Sequence, residues 1–316
     1  MRAVRTLGEI RDTNATYGET VTALAAEDSR IVTVEADLMK ASGSAPFKER
    51  FPERMFNVGI AEQDAMGFAA GLAAMGKIPF AAGFACFMAQ RACDQAQNSV
   101  AYNRFNVKVI GTYAGLTSEK NGGTHISIDD LAIYRNMPNF EVYDPGDPNE
   151  FEAILRYAAA HEGPVYIRSN KGKYPTFTPR GREFVPGRAE ILSEGTDVGL
   201  ITTGITTVEG INAAAELEKT GISVRHVHMP SIKPIDREAI AETARKTKIL
   251  VTVENHTVNG GLGSAVAEVL CEEQPARLVR LGLQDHFGET AKLRYMMHKY
   301  GIDDEAIAET VRKLVK

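Results

Sequence analysis

Short runs of β-branched and other apolar residues recur along the chain, and a stretch of helical length separates each run from the next. In the first half the runs cover residues 30–36, 79–85, 107–113, 140–144 and 164–169. In the second half they cover residues 198–203, 223–228, 248–254 and 277–281. Strands that alternate with helices pair in parallel, because a crossover helix returns the chain to the same end of the sheet. The pattern therefore predicts an α/β fold whose doubly wound, mostly parallel sheets carry helices on both faces.

Prolines and glycines interrupt this alternation between residues 173 and 193, where they lie among charged residues. Such a composition is typical of a linker between domains. We predict a first domain over residues 1–172, a linker over 173–193 with room for one short hairpin, and a smaller second domain over 194–316. With 316 residues and 44% hydrophobic content, the chain is large enough for two cores.

Composition and charge narrow the class of protein. The net charge is -5 and acidic and basic residues are interspersed, so no basic surface for nucleic acid is expected. Cys86, Cys93 and Cys271 are typical of reduced thiols, and no cysteine or histidine cluster has the spacing of a metal site. The N-terminus has no apolar core of signal-peptide length, and no apolar run approaches the length of a membrane span. We expect a cytoplasmic protein without a membrane or nucleic-acid partner.

The segment 57–75 predicts a turn at Gly59 and then a helix of mainly small residues, with the acid Glu62 in its first turn. A helix with so little side-chain bulk lets another backbone approach closely. Two interpretations of Glu62 remain open at this point. It is either a solvated acid favoured near a helix N-terminus, or a buried carboxylate that faces a ligand or a partner subunit.

Other candidate residues lie where predicted strands end, which is the edge at which open α/β sheets bind ligands. They are Asp37, His125 in a long polar loop, and Arg168. The pattern leaves open whether His125 is structural, and whether Arg168 binds an anion or forms a surface ion pair. Phe84 and Phe87 have the pattern of core residues.

A glycine-rich segment, Asn259-Gly260-Gly261-Leu262-Gly263-Ser264, follows a predicted strand and opens a helix. Its spacing differs from G-x-G-x-x-G, and it lies late in its domain. Close packing at a helix start therefore explains it better than a dinucleotide site does. The residues by themselves indicate a site at the edge of the first sheet but no particular reaction.

At Gly59-Ile60-Ala61-Glu62-Gln63 the sequence closely resembles the pyrimidine-binding domain of transketolases and 1-deoxyxylulose-5-phosphate synthases. Residues 190–316, with Gly260-Gly261-Leu262-Gly263, resemble the C-terminal domain of the same family. The resemblance covers essentially the whole chain and implies a thiamine diphosphate-binding, pyrimidine-type domain followed by a smaller α/β domain. Further matching segments occur in the family's order: Ala36-Asp37-Leu38, Gly83-Phe84, Gln90-Arg91-Ala92-Cys93-Asp94-Gln95, Gly122-Gly123-Thr124-His125, Tyr143-Asp144-Pro145 and Pro164-Val165-Tyr166-Ile167-Arg168.

The family's diphosphate-binding domain carries Gly-Asp-Gly followed by Asn-Asn, and neither signal occurs in this sequence. The resemblance therefore implies the C-terminal subunit of a split transketolase. A separate N-terminal subunit is expected to bind the diphosphate of thiamine diphosphate together with Mg²⁺ or Ca²⁺, in an α2β2 heterotetramer. The implied reaction transfers a two-carbon ketol unit from a ketose to an aldose phosphate.

The resemblance also implies roles for residues of the cofactor site. Glu62 matches the glutamate that hydrogen-bonds the aminopyrimidine ring, where a carboxylate favours the tautomer that can take a proton from the thiazolium carbon. Phe84 and Phe87 match the aromatic pocket around the pyrimidine. Asp37 matches an acid near the cofactor at the subunit interface.

The substrate end shows both matches and departures. His125 matches a histidine that faces the reaction centre and could exchange protons with substrate hydroxyls, and Arg168 matches an arginine that binds the sugar phosphate. Transketolases usually carry histidine at the position of Tyr113 and a Glu-Asp pair at Lys120-Asn121, whose aspartate recognises a donor hydroxyl. Asn121 is neutral, so we expect it to bind the substrate with a preference different from that of the usual aspartate.

Two more positions depart from the family. The aligned region Thr13-Asn14-Ala15 lacks a second phosphate-binding arginine, although Arg11 is near, and Asp64 stands where relatives often have histidine. These departures weaken the expectation that xylulose 5-phosphate is the donor. A related ketose, such as a deoxy, branched or sulfonated sugar, is the alternative donor. The alternatives are half of a deoxyxylulose-phosphate synthase or of a 2-oxo acid dehydrogenase, a non-catalytic assembly subunit, and a dinucleotide-dependent oxidoreductase.

Overall fold

Two mixed sheets and one short β-ribbon form the framework of the protein over residues 6–315, the part of the chain that the computed structural model describes. The strands in chain order are β1 (Ile10–Asp12), β2 (Ile31–Glu35), β3 (Met55–Asn57), β4 (Ile78–Phe84), β5 (Lys108–Thr112), β6 (Glu141–Tyr143), β7 (Val165–Ser169), β8 (Lys173–Pro175), β9 (Glu190–Ser193), β10 (Val198–Thr202), β11 (Val224–His228), β12 (Ser231–Lys233), β13 (Ile249–Thr257) and β14 (Leu278–Leu283).

Helices connect most of these strands. They are α1 (Thr13–Glu27), α2 (Met39–Ser42), α3 (Ala45–Arg50), α4 (Glu62–Ala74), α5 (Ala85–Gln90), α6 (Asp130–Asn136), α7 (Pro148–Ala160), α8 (Thr206–Glu218), α9 (Arg237–Lys246), α10 (Leu262–Glu272), α11 (Leu293–Lys299) and α12 (Asp304–Val315). Each helix within residues 6–315 is too short or too polar to span a bilayer.

The first sheet has the order β12-β6-β7-β5-β4-β2-β3, and all its strands except β12 run parallel. One face packs against α1 and α7, through residues such as Tyr17 and Phe151. The opposite face packs against α4, α5 and α6, through residues such as Met66 and Met88. Helices on both faces confirm the predicted doubly wound α/β fold, and they leave the carboxyl edge of the sheet free to form a site.

Helix α4 follows the turn predicted at Gly59, where φ is 78°, and it ends before Gly76, where φ is 81°. A side chain at either position would be strained, which explains why glycine begins and ends this segment. Within the helix, Ala65 and Ala69 are buried against the sheet. Gly67 lies on the opposite side, where an added Cβ would meet no atom within 4 Å.

The second sheet has the order β14-β13-β10-β11-β9, with only β9 antiparallel to its neighbour. The hairpin predicted between residues 173 and 193 is wrong, because β8 pairs with β1 and β9 pairs with β11. Strand β12 lies beyond the predicted linker yet joins the edge of the first sheet. Since the two halves share strands in this way, the proposed domain boundaries stay a prediction.

Candidate active site

Glu62 is the first residue of α4 and is buried, with 1% of its surface exposed. Its Oε2 accepts a hydrogen bond from Nη1 of Arg91 at 2.5 Å. The guanidinium carbon of Arg91 lies 4.2 Å from the centre of the Phe87 ring. Arg91 thus connects the carboxylate to an aromatic ring and balances its charge. The solvated interpretation of Glu62 is therefore wrong, because the carboxylate is buried.

An aromatic wall continues from Phe87 along the carboxyl edge of the sheet. The ring of His125 lies 5.0 Å from that of Phe87 and 5.5 Å from that of Phe84, in edge-to-face geometry. Phe84 also lies 5.2 Å from Tyr113. Both phenylalanines are half-buried rather than part of the core. Such partly exposed rings can pack against another flat ring.

Glu119 joins the loop that carries His125 to two other segments of the chain. Glu119 Oε1 accepts a hydrogen bond from the amide of Leu293 at the start of α11, and its Oε2 lies 3.8 Å from Nζ of Lys171. That Nζ also lies 4.9 Å from the ring centre of Tyr113. Glu119 and Tyr113 both have positive φ values, 46° and 57°. Such backbone is costly for residues other than glycine, and it is frequent at functional sites.

Asp37 is exposed just past the end of β2, and its φ of 60° is also positive. The side chain of Asn57 holds it in two ways, since Asn57 Oδ1 accepts from the Asp37 amide and Nδ2 donates to Asp37 Oδ1, both at 3.0 Å. The same Oδ1 accepts from the amide of Gly59 at 3.0 Å. This bonding ties the turn at Asp37 to the turn that begins α4.

Arg168 does not have the position that its expected role requires. It is fully buried, and its guanidinium donates to both carboxylate oxygens of Asp130, at 2.7 and 2.8 Å. Its other bonds go to Asp144 and to the carbonyls of Asn255 and Ser127. Burial by itself would raise the pKa of Asp130, but the Arg168 guanidinium lowers that pKa to about 2. A guanidinium with all its donors engaged inside the protein is not free to bind a sugar phosphate, so this prediction is corrected.

Asn121 and Arg11, the two further residues considered for the substrate end, form hydrogen bonds elsewhere in the chain. Asn121 is exposed, and its amide donates to Ser118 within its own loop at 3.3 Å. Arg11 donates to Asn149 at 2.5 Å and to Glu152 at 3.3 Å, both on α7. Arg11 is therefore held by that helix and does not replace the missing phosphate-binding arginine.

Sequence reasoning assigned no role to Arg91, Lys171 or Asn57, which the structure brings to this edge. Arg91 lies four residues after Phe87, a spacing that places both on one helical face. Lys171 follows the end of β7 in a polar segment, the position at which Arg168 was expected to act. Asn57 lies two residues before Gly59, and short polar side chains often bond the backbone two residues on.

The glycine-rich segment near residue 260 has an internal partner. The buried carboxylate of Glu254 accepts from the amides of Leu262 and Gly263, at 2.7 and 2.9 Å, at the N-terminus of α10. An added Cβ on Gly261 would come within 2.0 Å of Glu254 Oε2. Burial raises the pKa of Glu254 to about 7. A side chain of this chain thus occupies the place that a dinucleotide phosphate would need, which argues against the oxidoreductase alternative.

Within residues 6–315, one group of side chains has the spacing of metal ligands, namely His298, Asp303 and Glu305. Nη2 of Arg294 lies 3.5 Å from a carboxylate oxygen of both Asp303 and Glu305. A guanidinium in that position already balances the acids and would repel a cation. His298 lies on α11, Glu305 on α12 and Asp303 just before α12, and the group shares no residue with the site around Glu62.

Comparison with known proteins agrees with this geometry. The sequence matches the family models of the transketolase pyrimidine-binding domain over residues 10–176 and of the transketolase C-terminal domain over residues 187–307. The chain therefore belongs to the transketolase family.

Two of the similar proteins are themselves named as transketolase subunits. The chain is 42% identical to the 6-deoxy-6-sulfo-D-fructose transketolase subunit SqwH of Clostridium sp. (strain MSTE9), across 95% of this chain and 94% of that one. It is 40% identical to an apulose-4-phosphate transketolase subunit of Actinobacillus succinogenes, across 90% and 92%. A solved structure described as a split gene transketolase, inactive beta4 tetramer, superposes with a TM-score of 0.89 at 45% identity, covering 96% of this chain and 98% of that chain.

Proposed function

We propose that this chain is the C-terminal subunit of a two-chain transketolase, which transfers a two-carbon ketol unit from a ketose to an aldose phosphate. The observation that carries the proposal is the buried Glu62 carboxylate, joined through Arg91 to an aromatic wall. Its support from comparison is that relatives named as transketolase subunits align with this chain over nearly their full length.

Family membership implies thiamine diphosphate as the cofactor, and the residues of this edge fit its pyrimidine end. The half-buried edges of Phe84 and Phe87 can enclose a flat ring, and Glu62 can accept a hydrogen bond from a ring nitrogen. The cofactor supplies the carbon nucleophile that receives the two-carbon unit. Burial of Glu62 strengthens its hydrogen bond to the ring because water is excluded.

His125 is our candidate for proton exchange with substrate hydroxyl groups. Its Nδ1 lies 2.9 Å from the hydroxyl of Thr124. That contact engages Nδ1, so we assign the exchange to Nε2. The edge-to-face contacts with Phe84 and Phe87 hold the imidazole next to the cofactor position.

The anionic end of the substrate is assigned to Lys171 in place of Arg168. Lys171 lies past the carboxyl end of β7, and about a third of its side chain is exposed (33%). Among the described acids, only Glu119 lies close to the Lys171 ammonium, with its carboxylate at 3.8 Å. A phosphate or sulfonate can therefore compete with Glu119 for the ammonium. The Lys171 ammonium lies over the ring of Tyr113, 4.9 Å from its centre. Because Tyr113 stands where transketolases usually carry histidine and Asn121 where they carry aspartate, we propose a donor other than xylulose 5-phosphate.

Diphosphate and metal binding are assigned to a second, N-terminal subunit, in an α2β2 assembly. The test is to produce this chain with that subunit and to measure glycolaldehyde transfer from a panel of ketoses. The panel contains xylulose 5-phosphate, fructose 6-phosphate, 6-deoxy-6-sulfofructose and apulose 4-phosphate. Transfer from at least one ketose is expected. Condensation of pyruvate with an aldose phosphate, without ketose turnover, would favour the synthase alternative instead.

A further inference from the structure

Glu35, the last residue of β2, is a buried acid outside the contacts described so far. It is 1% exposed and lies on the face of the sheet that packs against α1. No basic residue within the described part of the chain pairs with it. A buried carboxyl without a counter-charge must be stabilised by hydrogen bonds. Ser42 Oγ donates to Glu35 Oε1 at 2.9 Å, and Ser44 Oγ lies 3.0 Å from that of Ser42.

The other carboxyl oxygen of Glu35 is buried without a hydrogen-bond partner among the described residues. Within residues 6–315, Glu35 Oε2, the hydroxyl of Tyr17 and Oγ1 of Thr33 are all buried and without a hydrogen-bond partner. Burial raises the pKa of Glu35 to about 7, against the smaller effect of the two serine hydroxyls. Glu35 also lines a cleft of about 490 Å³ whose rim carries Asp37 and Asn57.

Two paths of hydrogen bonds lead from Glu35 to the candidate site. Through its side chain it holds Ser42, the last residue of α2, which follows the strained turn at Asp37. The main-chain carbonyl of Glu35 accepts a hydrogen bond from the amide of Val58 at 3.0 Å, just before the turn that begins α4. Asn57 joins the two paths, because its side chain bonds both Asp37 and the amide of Gly59.

We infer that Glu35 is a positioning residue for the transfer reaction: through Ser42 its carboxyl group holds the turn at Asp37, which the Asn57 side chain joins to the start of α4, and so orients Glu62 toward the cofactor. Glu35 itself touches neither cofactor nor substrate. The inference rests on the proposed function for its kinetic consequences. Its structural consequence, a fixed turn at Asp37, is independent of that function.

Three variants test this inference in the two-chain enzyme: Glu35→Gln, Glu35→Ala and Ser42→Ala. Glu35→Gln keeps an oxygen that can accept from Ser42, so kcat should stay within about twofold of the wild type. Glu35→Ala should lower kcat about tenfold and weaken thiamine diphosphate binding several-fold, with the donor KM nearly unchanged. Ser42→Ala should shift both quantities in the same direction by a smaller factor.

Amide hydrogen exchange separates this inference from the proposed function. In Glu35→Ala and Ser42→Ala, exchange of residues 36–44 and 57–62 should be faster than in the wild type, whether or not any ketose is turned over. Wild-type kcat, cofactor affinity and exchange in folded Glu35→Ala would overturn the inference. If Glu35→Ala does not fold, the same results in Ser42→Ala overturn it. An inactive wild-type enzyme with the expected exchange pattern would count against the proposed function only.

Discussion

Nη1 of Arg91 lies 2.5 Å from Oε2 of Glu62, and this contact joins a buried carboxylate to a half-exposed guanidinium. The pair fixes the acid that is proposed to bond the pyrimidine ring. It also places a positive charge over the Phe87 ring at 4.2 Å. Arg91 therefore orients Glu62 and extends the aromatic surface that would receive the cofactor ring.

Replacing Glu62 by glutamine should abolish most of the activity. Glutamine can still accept the bond from Arg91, so the fold should persist, but it cannot provide the charge that polarises the pyrimidine ring. We expect kcat for glycolaldehyde transfer to fall about 10²- to 10⁴-fold. The matched control is Glu19→Gln, an exposed acid on α1, which should keep wild-type kcat. Full activity in Glu62→Gln would show that another group performs this role.

Replacing Arg91 by methionine should leave Glu62 without its counter-charge while it keeps most of the packing on Phe87. Because Arg91 is 42% exposed, the loss in unfolding free energy should be modest, about 1–2 kcal/mol. Cofactor affinity should fall with it, since Glu62 loses its fixed orientation. Urea unfolding and cofactor titration measure the two effects. An Arg91→Met enzyme with unchanged affinity would mean that the helix alone orients Glu62.

Replacing Lys171 by methionine should affect the anionic substrate specifically. The KM of a phosphorylated or sulfonated ketose should rise about tenfold or more, while turnover of an uncharged ketose stays unchanged. Lys171→Arg should restore part of the affinity. Lys173→Met is the control, because Lys173 lies two residues away on β8 and is exposed. Equal effects of both substitutions would indicate general electrostatic attraction rather than a binding residue.

The Asp130–Arg168 pair should make stability depend on acid pH. The pKa of Asp130 is about 2 in the folded protein, below the value of about 3.9 in an unfolded chain. The contribution of ionised Asp130 to the unfolding free energy is therefore complete above pH 4 and is lost as the pH falls toward 2. Asp130→Asn should lower the unfolding free energy at pH 7 by about 3–5 kcal/mol, because Arg168 keeps only its weaker partners.

Urea unfolding between pH 3 and pH 7 measures this dependence. The variant should lose less stability than the wild type when the pH is lowered from 4 to 3, since its amide does not titrate. Parallel stability curves for the two proteins would contradict the assignment. The neighbouring acid Asp144 serves as the comparison, because its pKa is raised by burial despite the Arg168 charge.

The alternation of strands and helices could be predicted from sequence because each long strand is a continuous apolar run. The short strands β3 and β12 were not predicted, since three residues are too few to show a period. Their positions are set by pairing with β2 and β6, which are distant in sequence. The same limit explains why the linker was assigned a local hairpin instead of two separate pairings.

Site residues could be proposed from sequence where their own segment matches a known family. They were missed where contacts with residues distant in sequence decide whether a side chain is buried or exposed. Glu62 and Phe87 lie in segments that match a known family, so sequence resemblance located both. Arg168 has the right position along its strand, but its burial depends on Asp130, 38 residues earlier in the chain. No local pattern reports that contact, and so the more exposed Lys171 was overlooked.

In the proposed two-chain enzyme, this chain holds only the pyrimidine half of the cofactor site. Calorimetric titration of thiamine diphosphate with Mg²⁺, into this chain alone and into the two-chain assembly, tests it most directly. The account predicts saturable binding by the assembly and at least about a hundredfold weaker binding by the chain alone. Equal affinity of the isolated chain and the assembly would contradict it.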